Sequence, residues 1–178
     1  MSKLTDFYED KVPYPNGTLL RKILGWEGKK LEHTHDYIQW LFPLSVQSHY
    51  NPDAPLLTLE DMFYIANNEQ CQCNLIWSVD LMLDFYGGVM LNVDDERKYD
   101  VFNSRKYNTK AQTWQRPNNH NHLRLTRMME SLTQLGQPHA AVAIGRWLES
   151  IIRIYPYRFT QDTAVFWGKA ITKAKVEI

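Results

Sequence analysis

Four groups of residues in this chain carry side chains able to do chemistry. Glu32, His35, Asp36 and Gln39 recur at three- and four-residue spacing. A helix over Leu31–Leu44 gathers them into one polar wedge about 100° wide, with Leu31, Tyr37, Ile38, Trp40, Leu41, Phe42 and Leu44 taking the rest of the circumference. A histidine beside an aspartate in a cleft works as a general acid or base, so an enzyme would use His35 and Asp36, with Arg124 holding an anion. The same wedge also fits a structural network, because a buried polar group left without a partner costs about 1–3 kcal/mol.

The second group is His120, Arg124, Arg127 and Ser131, a stripe on a helix that starts near Asn119 and turns Leu125, Met128, Met129, Leu132 and Leu135 inward. Two arginines within the first turns of a helix oppose the macrodipole, which prefers negative charge there. An anion at that end relieves the conflict, since free N–H groups and guanidinium forks converge on it, with Asn119 and Asn121 as further donors. Pairing with acids elsewhere in the chain does the same.

The third group offers metal ligands: Cys71-Gln72-Cys73, His33-Thr34-His35 and His120-Asn121-His122. Residues two apart on a helix point roughly 200° away from each other, and the usual zinc spacings are missing, so no metal site is expected. The fourth group is the basic run Arg105–Arg127, with six bases and no acid. Tyr107 and Trp114 within it suit stacking, which makes weak nucleic-acid binding an alternative function. No nucleophile elbow, phosphate loop or dinucleotide fingerprint occurs, so the sequence implies no cofactor and no nameable catalysis.

The elements that must position these groups read as helical. Residues 1–30 are punctuated by Pro13, Pro15, Gly17, Gly25 and Gly28 and read as an irregular segment packed on the domain, with short helices near 4–10 and 18–25. Leu31–Phe42 reads as one strong helix, stopped by Pro43. Thr58 and Asp61 form a capping box. Glu69–Tyr86 carries the helical apolar repeat of Leu75, Ile76, Val79, Met82, Leu83 and Tyr86 and stops at Gly87-Gly88. A helix is expected around 95–104 and a loop over Tyr107–Asn118. The helix from Asn119 ends at Gly136. Pro138 opens the next, with Ile144, Trp147, Leu148, Ile151, Ile152 and Tyr155 buried, and Thr160 caps a last one with Val165, Phe166 and Ile171 inward. The expectation is all-α: a single compact domain of about six or seven helices, with residues 31–178 as its body.

Composition bounds the setting. The chain has 178 residues, one domain's worth. Its 20 bases and 20 acids cancel, which excludes a global polyanion binder, yet residues 61–100 carry −6 and residues 101–178 carry +8. No apolar run of membrane-spanning length and no secretory leader is present. Two cysteines one residue apart seldom pair, so a cytoplasmic, reducing setting is expected.

The string His35–Leu44, HDYIQWLFPL, followed by Pro55-Leu56-Leu57-Thr58, resembles the opioid growth factor receptor conserved domain. The resemblance continues through Leu81–Gly87 (LMLDFYG), Tyr107 to Trp114, His120–Arg127 (HNHLRLTR) and Ser131 to Gly136, over roughly residues 30–170. At His122 the family usually has asparagine. The resemblance supplies no catalytic residues. It implies a binding or regulatory module for a peptide, protein or small anionic ligand, with Asp36, Gln39, Trp40, His120, Asn121, Arg124 and Arg127 as its site. Animal members are named for a receptor of the pentapeptide Met-enkephalin and carry further segments after the domain. A chain this short implies a small single-domain, bacterial-type member.

Overall fold

The computed structural model describes residues 2–48, 51–93 and 98–178. The chain divides into two compact units, Met1–Met82 and Leu83–Ile178.

The first unit holds α1 (Lys3–Tyr8), α2 (Leu20–Ile23), α3 (Gly28–His33), α4 (Ile38–Leu41), α5 (Leu59–Asn67) and most of α6 (Glu69–Tyr86). Two of its helices, α1 and α5, start under side-chain caps. Thr58 Oγ1 accepts from the Asp61 N–H at 3.1 Å, and the Asp61 carboxylate accepts from the Thr58 N–H at 3.1 Å. The same carboxylate accepts from Ser2 Oγ at 2.5 Å, and Ser2 in turn caps α1. One buried acid therefore joins its own helix cap to the α1 cap residue, which lies 59 positions away from it in sequence. Phe7, Tyr8, Leu20, Ile23, Leu41, Phe42, Ile65, Leu75 and Val79 fill the core between these helices.

The second unit opens with an antiparallel ribbon, β1 (Gly88–Asn92) on β2 (Tyr99–Asn103), in register Gly88 to Asn103. Then come α7 (Tyr107–Trp114), α8 (Asn121–Gln134), α9 (Pro138–Ile154), a single 3-10 turn (Pro156–Arg158) and α10 (Gln161–Val176). Helices α8, α9 and α10 pack on one another, and β2 lies on α9, where Trp147 Nε1 donates to Asn103 Oδ1 at 2.8 Å. Gly87 stops α6 at φ +89°, and a Cβ there would meet Tyr107 Cα at 2.9 Å.

The structure corrects the all-α expectation. The described residues contain ten α-helices, three of them only four to six residues long between Leu20 and Leu41, and a two-stranded sheet. The helix expected at 95–104 is replaced by β2 over its described part, while residues 95–97 lie outside the described residues. Val89, Leu91 and Phe102 of the ribbon are exposed, so no alternation of apolar and polar residues announces it. The single helix expected over Leu31–Phe42 is broken: Thr34 is extended at φ −97°, ψ 133°. Tyr37 Oη donates at 3.2 Å to the Leu31 carbonyl, the acceptor a continuous helix would give to residue 35. The loop expected at 107–118 is helical to Trp114, because Tyr107, Ala111 and Trp114 share one buried face. In α10, Ile171 faces inward as expected, but Val165 and Phe166 are 45% and 48% exposed, and Trp167, Ala170 and Ala174 complete the buried face. Helix α6 over Glu69–Tyr86, the Pro138 start of α9 and the Thr160 cap of α10 stand where expected, while the helices expected near 4–10 and 18–25 are shorter, Lys3–Tyr8 and Leu20–Ile23, and α8 starts at Asn121 with His120 at its cap position.

Close approach of α9 to α10 depends on Gly145. A Cβ built there would lie 2.2 Å from Ile171 Cγ1 and 2.7 Å from Cδ1. Gly145→Ala should cost about 1–3 kcal/mol by overpacking, read by denaturant unfolding. The cost should shrink in an Ile171→Ala background, because that substitution removes both clashing atoms.

Candidate functional site

In the first unit the break after α3 places His35 on the surface, Asp36 half-buried, and Gln39 and Trp40 buried on α4. Burial together with the nearby Asp36 carboxylate pushes the Tyr14 pKa up to about 12, and the hydrogen bond from Asn16 opposes the shift. The Gln39 amide, oriented to satisfy its surroundings, donates to the carbonyls of His35 and Asp36 at 3.1 and 2.9 Å. It therefore holds the turn that starts its own helix. Trp40 packs edge-on against Phe7, with centroids 5.3 Å apart. One edge of the indole meets an open groove of about 530 Å³ walled by Val12, Pro13, Pro15 and Pro55. Two exposed charges, Lys3 and Asp53, border it.

In the second unit His120 is exposed, Asn121 and Arg124 are buried, and Arg127 is half-buried. Asn121 is a hub: its N–H donates to Asn119 Oδ1 at 2.9 Å, and its own Oδ1 accepts from Tyr86 Oη and Arg124 Nη1, each at 3.3 Å. Burial lowers the Arg127 pKa, and Glu130 opposes that effect. On the same α8 face the Ser131 hydroxyl is fully buried and has no hydrogen-bond partner among the described residues. The polar residues expected to act together thus form two sets, Asp36, Gln39 and Trp40 in one unit and Asn121, Arg124 and Arg127 in the other.

Other expected chemistry takes a different form. Tyr107 and Trp114 are 7% and 0% exposed, so as folded neither ring is open to a nucleotide base. Trp114 packs on Tyr86, Trp147 and Phe159. Among the described residues no three His, Cys, Asp or Glu side chains stand together as metal ligands. Cys71 is buried, with its pKa pushed up to about 12 by burial, and Cys73 is exposed.

Sequence reasoning passed over two features. The groove walls come from prolines read only as chain punctuation, and the short spacing of Pro13 and Pro15 was the available signal. His122, noted for departing from the family pattern, is a core residue enclosed by Phe159 at 5.2 Å, Trp167 at 5.5 Å and Trp114 at 6.3 Å. Its Nε2 lies 3.0 Å from the Trp114 carbonyl and must carry the proton. Nδ1 then accepts from the Thr163 hydroxyl at 3.2 Å. Desolvation lowers the His122 pKa, the bond to Trp114 opposes the shift, and His120 adds to it. The unfolded chain protonates near the ordinary imidazole value of about 6.5, where the folded site resists the proton. Stability is therefore full above that pH and falls as pH drops through it. His122→Gln should lower stability at pH 7.5 yet flatten its fall between pH 7 and 5.5. Parallel unfolding profiles for the two proteins would show that another group carries the effect.

A family model described as the opioid growth factor receptor conserved region matches residues 1–171. The chain is similar to human opioid growth factor receptor, 33% identical over 155 residues that cover 83% of this chain and 22% of that protein. It is similar to mouse opioid growth factor receptor, 32% identical over 145 residues that cover 79% and 22%. It is also similar to opioid growth factor receptor-like protein 1 of Xenopus tropicalis, 35% identical over 136 residues that cover 73% and 25%. The chain spans about a quarter of the length of these curated relatives. No solved structure matches it. A match over nearly the whole chain, taking in both the Trp40 and the Arg124 segments, places it in the opioid growth factor receptor conserved-region family.

Proposed function

We propose that the chain is a peptide-binding domain whose ligand lies in the groove beside Trp40. The observation that carries this reading is the groove itself: about 530 Å³, open, and walled by rigid apolar residues with one charge of each sign at its border. That volume is ordinary for a ligand site, and apolar walls with few polar groups are what such sites use. Residues 1–30 supply one wall and residues 40–55 the other, so the segment packed on the domain forms part of the site. The relatives bear the name of a growth factor receptor, which supports a binding role. Among the described residues no helix is long and apolar enough to cross a membrane. The two free thiols support a cytoplasmic setting. Panning a random-peptide phage library on the chain tests the reading. Selected peptides should lose binding when Lys3→Glu and Asp53→Arg are combined and keep it when Arg124→Ala and Arg127→Ala are combined. A library that returns no binder, or binders indifferent to the groove pair, overturns it.

A second reading, a small anionic ligand on α8, is favoured by the buried Ser131 hydroxyl that lacks a partner. Ser131 shares a helix face with Arg124 and Arg127, and an oxyanion would accept from all three. Inorganic phosphate should raise the melting temperature above that in chloride of equal ionic strength, and Ser131→Ala should remove the difference. Equal melting in the two salts sinks this reading.

A further inference from the structure

The groove beside Trp40 shows an unusual shortage of backbone donors. On one wall Pro13 and Pro15 have no N–H, the Val12 N–H donates to the Asp6 carbonyl at 3.4 Å, and the Tyr14 N–H donates to the Thr18 carbonyl at 3.1 Å. On the other wall Pro55 has no N–H, the Asp53 N–H donates to Asn51 Oδ1 at 3.2 Å, and the Ala54 N–H donates to the Asn51 carbonyl at 3.1 Å. Every N–H along Val12–Pro15 and Asp53–Pro55 is thus absent or already bonded. An extended peptide cannot add itself to either wall as a β-strand, because strand addition draws on main-chain hydrogen bonds from the receptor. Of the side chains lining the groove, Lys3 offers an ammonium donor and Trp40 an indole ring.

A ligand suited to these walls needs no ladder, leaves no N–H of its own unsatisfied and offers apolar rings to an indole. A polyproline II helix has those properties: it lacks internal hydrogen bonds, its backbone stays solvated in an open groove, and it has little conformational freedom to lose. The receptor walls are stiff for the same reason, since Val12, Tyr14 and Ala54 each precede a proline, which narrows the backbone conformations open to them. Charge adds a second requirement. Lys3 and Asp53 are exposed, and neither is ion-paired to another described residue.

We infer that the groove recognises a proline-rich segment in the polyproline II conformation that carries one acidic and one basic residue. The inference rests on the peptide-binding reading above and names its ligand class. The Trp40 indole donates to a ligand carbonyl, Pro13, Pro15 and Pro55 pack on ligand rings, Lys3 meets the acid and Asp53 meets the base.

The test is calorimetric titration of the whole chain with a blocked peptide of eight prolines bracketed by one arginine and one glutamate. A control peptide has alternate prolines replaced by glycine. The proline peptide should bind at least about tenfold more tightly than the control. Lys3→Ala and Asp53→Ala, both at exposed positions, should each weaken binding about two- to fivefold with unchanged melting temperature. Trp40→Phe, which keeps a ring but removes the donor, should weaken it about two- to tenfold. Equal binding of the glycine control overturns the polyproline assignment and leaves the peptide groove standing. Failure of this peptide and of every panned peptide overturns both. Tight binding indifferent to Lys3, Asp53 and Trp40 places the ligand elsewhere, and self-association that is lost in Asp53→Ala makes a second copy of the chain the occupant.

Discussion

Most of the large aromatic side chains in the two cores carry a polar atom, and each such atom must be bonded where it is buried. An unbonded buried donor costs as much as a large fraction of a domain's net stability. Tyr8 Oη therefore donates to the Leu41 carbonyl and Tyr37 Oη to the Leu31 carbonyl. In the second unit Tyr86 Oη donates to Asn121, Trp114 Nε1 to the Tyr86 carbonyl, Trp147 Nε1 to Asn103 and Trp167 Nε1 to the His122 carbonyl. Three of the acceptors, the carbonyls of Leu31, Leu41 and Tyr86, lie in the last turn of a helix; two are asparagine side chains and one, the His122 carbonyl, lies in the first turn of α8. The aromatic core thus decides where helices stop, and the break between α3 and α4 is the clearest case.

That break determines the character of the groove. A continuous helix from Leu31 to Phe42 would turn Asp36, Gln39 and His35 into one stripe. The broken chain instead gives Asp36 to Tyr14 and folds Gln39 back on the turn that precedes it. Trp40 is left against Phe7 with an edge on the groove. The polar residues of the family motif stabilise the wall, and the wall presents proline and indole to the groove. On α8, Asn121 likewise ties Tyr86 and Arg124 together, while Ser131 retains an unmet hydrogen bond.

Legibility in the sequence followed locality. The capping box at Thr58 and Asp61, the Gly87 stop, the long apolar repeat of α6 and the Thr160 cap depend on residues three or four apart, and all were readable. The ribbon was not, because its outward face keeps Val89, Leu91 and Phe102 and erases the alternation that marks a half-buried strand. Helix α7 was hidden by its polar composition, although Tyr107, Ala111 and Trp114 have helical spacing. Of the candidate site, Trp40 was visible through its motif. Its neighbours at the groove, Lys3 and Pro55 among them, are up to 52 positions apart in sequence and share no periodic pattern.

The sequence by itself determined the family, the predominantly helical composition, the caps and stops, and the absence of any nameable catalytic motif. Each of these is carried by residue identity or by spacing within a few turns. Only the tertiary structure decided that His122 belongs to an aromatic core, that the helix after Leu31 breaks, and that the N–H groups of Val12, Tyr14, Asp53 and Ala54 are engaged. Those outcomes depend on which distant atoms satisfy a buried polar group. That choice is made by packing across tens of residues, where local spacing carries no information.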